Sequence, residues 1–348
     1  MDRRSVLRAG FAAAIGHVAS PFSANRLQSA VTDLASSVMS VSGPITVGQL
    51  GSMLPHEHVL VDFIGADKVS RDRYDRDEVI AVVLPQLRRL RAAGGQTLVE
   101  CTPAYLGRDP WLLKRLSDES GVTIITNTGY YGARQGKFLA AHALEETADQ
   151  LASRWLAEWH EGIEGSGIRP GLIKIGVDGG ALTEVNRKLI QAAARTHLQS
   201  GLTIASHTGD GHSALEQLAV LREEGVAPAA WIWVHAQNEA NREVHLRIGR
   251  QGAWVEFDGV GPDSIQEHVA LVQSMREHQL LDRVLISQDA GWYSVGEPRG
   301  GQFRPYDTLF TVLLPAMKKA GFSDEEIERL TVTNPAKALA INIRSAPK

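Results

Sequence analysis

The sequence predicts an α/β fold, a TIM (β/α)8 barrel with a binuclear metal site at the C-terminal ends of its strands. Three observations carry this. Strand-like and helix-like runs alternate from Gly43 onward in eight successive units. Several of the strand-like runs contain or end on one metal-capable or basic residue, where such barrels collect their chemistry. Glycines at Gly94-Gly95, Gly201, Gly225 and Gly252 fall where a helix should stop just before the next strand.

The strand candidates lie near 51–61, 96–102, 122–128, 171–177, 202–207, 231–236, 253–258 and 284–289. Between them, apolar residues recur at one-face helical spacing. Val79, Val82, Val83, Leu87 and Leu90 mark the first such run. Similar patterns cover Asp109 to Ser117, Ala141 to Glu161, Glu184 to Gln199, Ser213 to Glu224, Asn238 to Arg250 and Ile265 to His278. No linker or low-complexity stretch interrupts 43–348, which reads as one barrel domain.

His56 and His58 stand two apart in the first strand candidate. Residues i and i+2 of a strand share a face, so both imidazoles aim at one point. Lys174 interrupts the apolar run 172–177, and His207, His235 and Asp289 each close a later run. An unpaired Lys in an apolar strand is costly, so it demands a reason. Any one of these histidines alone is more often a satisfied polar residue than a ligand. Together they supply six N/O ligands, enough for two metals with one ligand shared.

Composition narrows the function classes. The chain has 348 residues, a net charge of −4 and 22% charged residues, with no clustered positive charge of the kind nucleic acids require. Its one cysteine, Cys101, excludes an internal disulfide and a Cys-based zinc site, and reads as a small buried hydrophobe at a strand end. Residues 1–42 read as a leader and flexible lead-in. Arg3-Arg4 followed by a mild apolar stretch, Ala9 to Ala19, looks like a twin-arginine signal, with chance pairing of two arginines as the alternative. The expected destination is the periplasm or beyond, reached through the twin-arginine machinery.

The residues Pro55-His56-Glu57-His58, Lys174, Ser206-His207-Thr208, Val234-His235, Ser287-Gln288-Asp289 and Thr333-Asn334-Pro335-Ala336-Lys337 resemble the motifs of the phosphotriesterase family, within the amidohydrolase superfamily. The resemblance covers 43–343. It implies that His56, His58 and Asp289 bind a buried divalent metal and His207 and His235 a more exposed one. It further implies that Lys174 bridges both as a carboxylated lysine, and that Asp289 handles the proton of a bridging hydroxide. A Lys in an apolar barrel has a lowered pKa, and its neutral amine can add carbon dioxide to become an anionic ligand. Zinc suits the imidazole and carboxylate set, with manganese, cobalt and iron tolerable. The resemblance also admits a homodimer.

Tyr130, Tyr131 and Asp258 resemble substrate-side residues of lactone-hydrolysing relatives, although two aromatics packing the barrel mouth is an equal reading of the tyrosines. Gly259 stands where many lactonases carry Arg, and Ala236-Gln237-Asn238-Glu239 and Gln288 also depart from the common pattern. The segment Gly291 to Tyr306 reads as a loop over the site, with Trp292, Tyr293, Arg299 and Arg304 as candidates for a ring-shaped or anionic substrate. The expected activity is hydrolysis of a lactone, such as that of a sugar acid, or of a related carboxylic ester. Organophosphate triester hydrolysis and amide hydrolysis (amidase or deacetylase) are the alternatives within the enzyme class. An exported non-catalytic binding protein is the alternative outside it.

Overall fold

The computed structural model describes residues 37–347. The strands are β1 (Ser37–Ser40), β2 (Gly43–Thr46), β3 (Met53–Val61), β4 (Thr97–Glu100), β5 (Thr123–Ile125), β6 (Asn127–Thr128), β7 (Leu172–Val177), β8 (Thr203–Thr208), β9 (Trp231–Val234), β10 (Trp254–Phe257), β11 (Val284–Ile286) and β12 (Gly291–Ser294). From β3 to β11 the sheet neighbours follow chain order and pair in parallel, with β5 and β6 forming one strand interrupted at Thr126. The seam closes around His56. Its backbone N–H reaches Ser287 Oγ at 3.0 Å, its carbonyl accepts from Asp289 N at 3.2 Å, and His58 N–H donates to Ala290 O at 2.9 Å. The eight-stranded parallel barrel is therefore present, with each sequence-predicted strand at its place.

The outer helices are α1 (Arg76–Ala92), α2 (Pro110–Ser120), α3 (Ala141–Glu145), α4 (Ala148–Glu161), α5 (Glu184–Ser200), α6 (Gly211–Glu223), α7 (Arg242–Arg250) and α8 (Ile265–Glu277). The single helix expected over 141–161 is two. Thr147 caps α4 by accepting from Gln150 N, while the Gln150 side chain answers the Thr147 N–H, so the chain restarts there. Asn241 caps α7, which starts four residues after the expected Asn238.

Residues 37–42 are not a flexible lead-in. β1 and β2 pair as an antiparallel hairpin, and Val41 N–H donates to Ile124 O at 2.9 Å. Val38 and Leu50 join Met53, Val99, Ile125, Leu172, Ile232 and Leu285 in the core inside the barrel. Leu339 of a final helix, α9 (Asn334–Leu339), closes the same core. The Asn of the terminal motif is structural: Asn334 Nδ2 donates to the carbonyls of Leu281 and Val284, both at 2.8 Å, pinning the start of β11. Residues 1–36, including the arginine pair, lie outside the described residues.

Candidate active site

Strand alternation sets the floor of the site. On β7, Ile173, Ile175 and Val177 pack outward with the helices, while Leu172 joins the inner core. Lys174 therefore faces the barrel axis, two residues above Leu172. It is 2% exposed and its Nζ has no hydrogen-bond partner. Gly176, the next inward position, leaves space: a Cβ there would lie 2.8 Å from the Tyr131 ring and 3.2 Å from His207 Cβ. His235 breaks the rule. Val234 already faces inward, so the next residue should face out. A left-handed backbone at His235 (φ 65°, ψ 35°) turns the ring back to the axis. Asp289 is likewise left-handed, with φ 48°.

A buried carboxylate orients two of the histidines. Asp258, with 0% exposure, takes His56 Nδ1 at 2.9 Å on one oxygen and His235 Nδ1 at 2.7 Å on the other. Thr102 Oγ1 holds His58 Nδ1 at 2.8 Å. With Nδ1 occupied, Nε2 is the free ligating atom of each ring. His56 Nε2 and His58 Nε2 then converge on Asp289 Oδ1 at 3.8 and 3.1 Å. His207 packs edge-on against His235 and Tyr131, with ring centroids 4.5 and 4.9 Å away.

Electrostatics separate these rings. Burial drives His56 down to about 3, with the Lys174 charge adding and Asp258 opposing. Burial also lowers His58 and His207. At His235 burial again pulls downward, but the charge and hydrogen bond of Asp258 outweigh it, so the net shift is upward. Three neutral imidazoles, an orphaned amine and a carboxylate whose Oδ1 lacks a hydrogen-bond partner make a donor set suited to divalent cations. The residues fit a metal centre.

Glu57, between the two histidines of the motif, points away from them and anchors the same seam. Its carboxylate accepts from Ser287 Oγ at 2.7 Å, Gln288 N at 3.0 Å and Ala290 N at 2.6 Å. Burial pushes it up to about 8 although these donors favour its charged form. Arg304 completes the brace, donating to the carbonyls of Asp289 and Gln288 at 2.6 and 2.9 Å. The Gln288 amide ties Tyr306 O and Leu309 N. Asp289 is held from both sides.

Above the floor opens a cavity of about 430 Å³ lined by His56, His58, Lys174, His207, His235 and Asp289 at its base. Tyr131 and Trp292 lie on its wall, as expected. The Trp292 indole N–H donates to Asp289 O at 2.7 Å, and its ring stacks on Phe63 at 5.5 Å.

Three other expectations need correction. Asp258 does not face substrate, because both oxygens are spent on His56, His235 and Gln237 Nε2. Tyr130 faces a neighbouring cleft, where its hydroxyl meets His142 Nε2 at 3.1 Å. Arg299 is exposed in a short turn outside the cavity. The segment after Asp289 is also not all loop: β12 runs parallel to β3, pairing Gly291 with His58.

Sequence reading missed Phe63, Leu106, Arg134, Lys137 and Phe138 on the cavity wall. A signal existed for part of this set. Gly132-Ala133-Arg134-Gln135-Gly136-Lys137 follows strand three directly, on the face where barrel loops carry function. Two departures noted in sequence prove to be coupled: a Cβ on Gly259 would lie 2.8 Å from Gln237 Nε2, the amide that bonds Asp258. A larger residue at 259 displaces that amide.

Comparison with known proteins agrees with this geometry. The Phosphotriesterase family profile matches residues 36–339. The "Phosphotriesterase homology protein" of Escherichia coli is 30% identical over 82% of this chain and 97% of its own. The human "N-acetyltaurine hydrolase" is 25% identical over 88% and 98%. A solved structure concerned with engineering organophosphate hydrolysis activity from a weak promiscuous lactonase template superposes with a TM-score of 0.77. It is 27% identical and covers 87% of this chain and all of its own. With a barrel closed at His56, a convergent histidine, lysine and aspartate floor, and a profile match across most of its length, the chain belongs to the phosphotriesterase family and is a metal-dependent hydrolase.

Proposed function

We propose that the protein hydrolyses a lactone or a related carboxylic ester. The observation that carries this reading is the cavity itself. Its base holds the six candidate ligands and its walls are largely apolar and aromatic, through Phe63, Leu106, Phe138 and Trp292. Such walls suit an acyl or ring body more than a freely hydroxylated sugar. The sugar-acid expectation also loses its motive, since Arg299 lies outside the cavity and Arg304 is spent on backbone carbonyls.

His56, His58 and Asp289 would hold one divalent ion, and His207 and His235 a second. Lys174, as a carbamate, would bridge them. Bound there, the ions supply Lewis acidity and a water ionised near neutral pH. The chain's own residues do the rest. Asp258 fixes the His56 and His235 tautomers, so both rings present a lone pair. Asp289 Oδ1 lies in the cleft between the His56 and His58 edges, placed to accept the nucleophile's proton and pass it toward the leaving oxygen. Tyr131, on the wall beside His207, is placed to hydrogen-bond a substrate oxygen.

Amide hydrolysis is a second reading, supported by the N-acetyltaurine hydrolases among the relatives. Steady-state kinetics on lactones, linear esters, amides and phosphotriesters, with metal content measured in parallel, test the assignment. The expected order puts a lactone or ester first. A specificity constant for paraoxon-like triesters, or for any amide, well above every lactone and ester overturns it. We also propose twin-arginine export: Arg3→Lys with Arg4→Lys should trap the precursor in the cytoplasm, and unchanged export in that variant would exclude this route.

A further inference from the structure

Two cations, Arg134 and Lys137, stand at the mouth of the cavity. Among the described residues that line it, Arg134 and Lys137 bring positive charge to the rim, and the one carboxylate is Asp289 at the base. No carboxylate of the described residues forms a salt bridge with either cation. This contrasts with the neighbouring cleft, where Arg108 pairs with Glu158 at 2.6 Å.

The loop that carries these cations is built, not loose. Arg134 and Gln135 both sit in the left-handed region, with φ of 59° and 56°. Such a conformation is strained for an ordinary side-chain-bearing residue. The Asp178 carboxylate holds it, accepting from Arg134 N at 2.8 Å and Gln135 N at 3.0 Å. Ala133 and Phe138 anchor the loop in a small core with Leu106 and Tyr131. The Lys137 carbonyl accepts from Ala66 N at 3.1 Å, tying it to the loop after β3. The carboxylate beside Arg134 is engaged by the loop's backbone, and the Arg134 side chain is exposed at the rim beside Tyr131.

We propose that Arg134 and Lys137 bind an oxyanion carried by the substrate at the end remote from the scissile bond, with an apolar segment between them lying along Phe138 and Trp292. The proposal rests on the hydrolytic reading of the same cavity and adds the charge of its substrate. Two exposed cations give moderate attraction, sensitive to salt, so the effect is one of selectivity rather than of turnover alone.

Non-hydrolysable probes isolate binding from chemistry. Calorimetry of the metal-loaded full chain with 4-phenylbutane-1-sulfonate and its neutral sulfonamide should show the sulfonate binding at least about tenfold tighter, an advantage of about 1.4 kcal/mol. Raising the salt concentration should shrink it. Arg134→Gln with Lys137→Gln should bring the ratio below about threefold, and Lys137→Glu, which keeps the loop's backbone contacts, should lower it on its own. A native ratio near one overturns the proposal. So does a ratio that survives both variants, because the sulfonate then sits elsewhere, such as on the metal ions. Hydrolysis of a monoanionic phenyl ester and its neutral analogue separates the two readings. Esters cleaved without charge preference sink this inference alone. Tight sulfonate binding with no ester or lactone cleaved sinks the proposed activity and leaves the anion site standing.

Discussion

The floor and the mouth of the cavity are built by different rules. Floor residues stand on strands or just past their C-terminal ends and are held by short contacts to other buried groups, as with His56 and His235 on Asp258 and His58 on Thr102. At the mouth, Arg134 and Lys137 stand on the connecting segment after β6, and Trp292 stands on the short strand β12 with a φ of 73°. A strand residue has its direction set by alternation and register. A loop residue has it set by which turn the chain happens to make. The floor is therefore specified as chemistry, and the mouth as shape. Changes to the floor should abolish function, and changes to the mouth should redirect it.

The largest break in that contrast should come from Lys174→Ala. It removes the buried amine that nothing else satisfies and with it the proposed bridge between two metals. Bound metal should fall from about two per chain toward zero, and activity by about 10³-fold or more. Short carboxylic acids added in solution should restore part of both. A high-resolution map showing a plain amine at Lys174 beside two bound ions would refute the bridging role.

Glu57→Gln should strike stability. The carboxylate accepts three donors, one of them on its second oxygen. An amide has a single acceptor oxygen, so its NH2 would face a donor in the buried seam. Leaving buried donors unpaired costs about 1–3 kcal/mol each. A lowered thermal midpoint with weakened metal retention is expected, and an unchanged midpoint would mean the seam does not depend on Glu57.

How much was readable in advance follows the same division. The eight strands, and the inward aim of His56, His58 and Lys174, follow from period-two patterning, which sequence displays directly. His207 was reached through its position at a strand end. His235 was found for the same reason, yet its left-handed turn was invisible, because nothing in Val234-His235-Ala236 requires it. Asp258 was singled out through its resemblance to an aspartate of lactone-hydrolysing relatives but given the wrong neighbours. A carboxylate behind two imidazoles and one in front of them look alike without the third dimension. Tyr130 and Tyr131 are adjacent, so one strand step sends them to different clefts. The hairpin of β1 and β2 was missed because a short Ser-rich strand at the base of a barrel has too few apolar residues to stand out.

Within the floor itself, acid should separate the two metal positions. His56 accepts a proton only around pH 3, by virtue of its burial, whereas Asp258 holds His235 above the usual histidine value. A proton on Nε2 excludes a metal from the same atom. Lowering the pH from about 8 through the ordinary histidine range near 6.5 should therefore release the ion at His207 and His235 first. The ion at His56, His58 and Asp289 should persist. Asp258→Asn should blur this order, since an amide can accept from only one of the two rings. Metal content measured across the pH series checks it, and simultaneous loss of both ions would contradict the split.

The smallest effects should come from the mouth, and they should differ between two residues that sequence grouped together. Trp292 lies on the cavity wall against His58, with ring centroids 4.6 Å apart, and its indole is fixed on Asp289 O. Trp292→Ala removes a wall and a brace of the catalytic segment, so KM for a bulky ester should rise by about tenfold, the scale of a lost aromatic contact. Arg299 sits seven positions later, exposed, in a turn whose neighbour Gly300 packs on Tyr293 so closely that a Cβ there would lie 2.3 Å from its ring. That packing fixes the turn away from the cavity. Arg299→Ala should leave kcat/KM within about twofold, as surface substitutions usually do. A tenfold fall in kcat/KM for Arg299→Ala, at unchanged metal content, would mean that this turn swings over the bound substrate and that the mouth extends further along the chain than the cavity walls indicate.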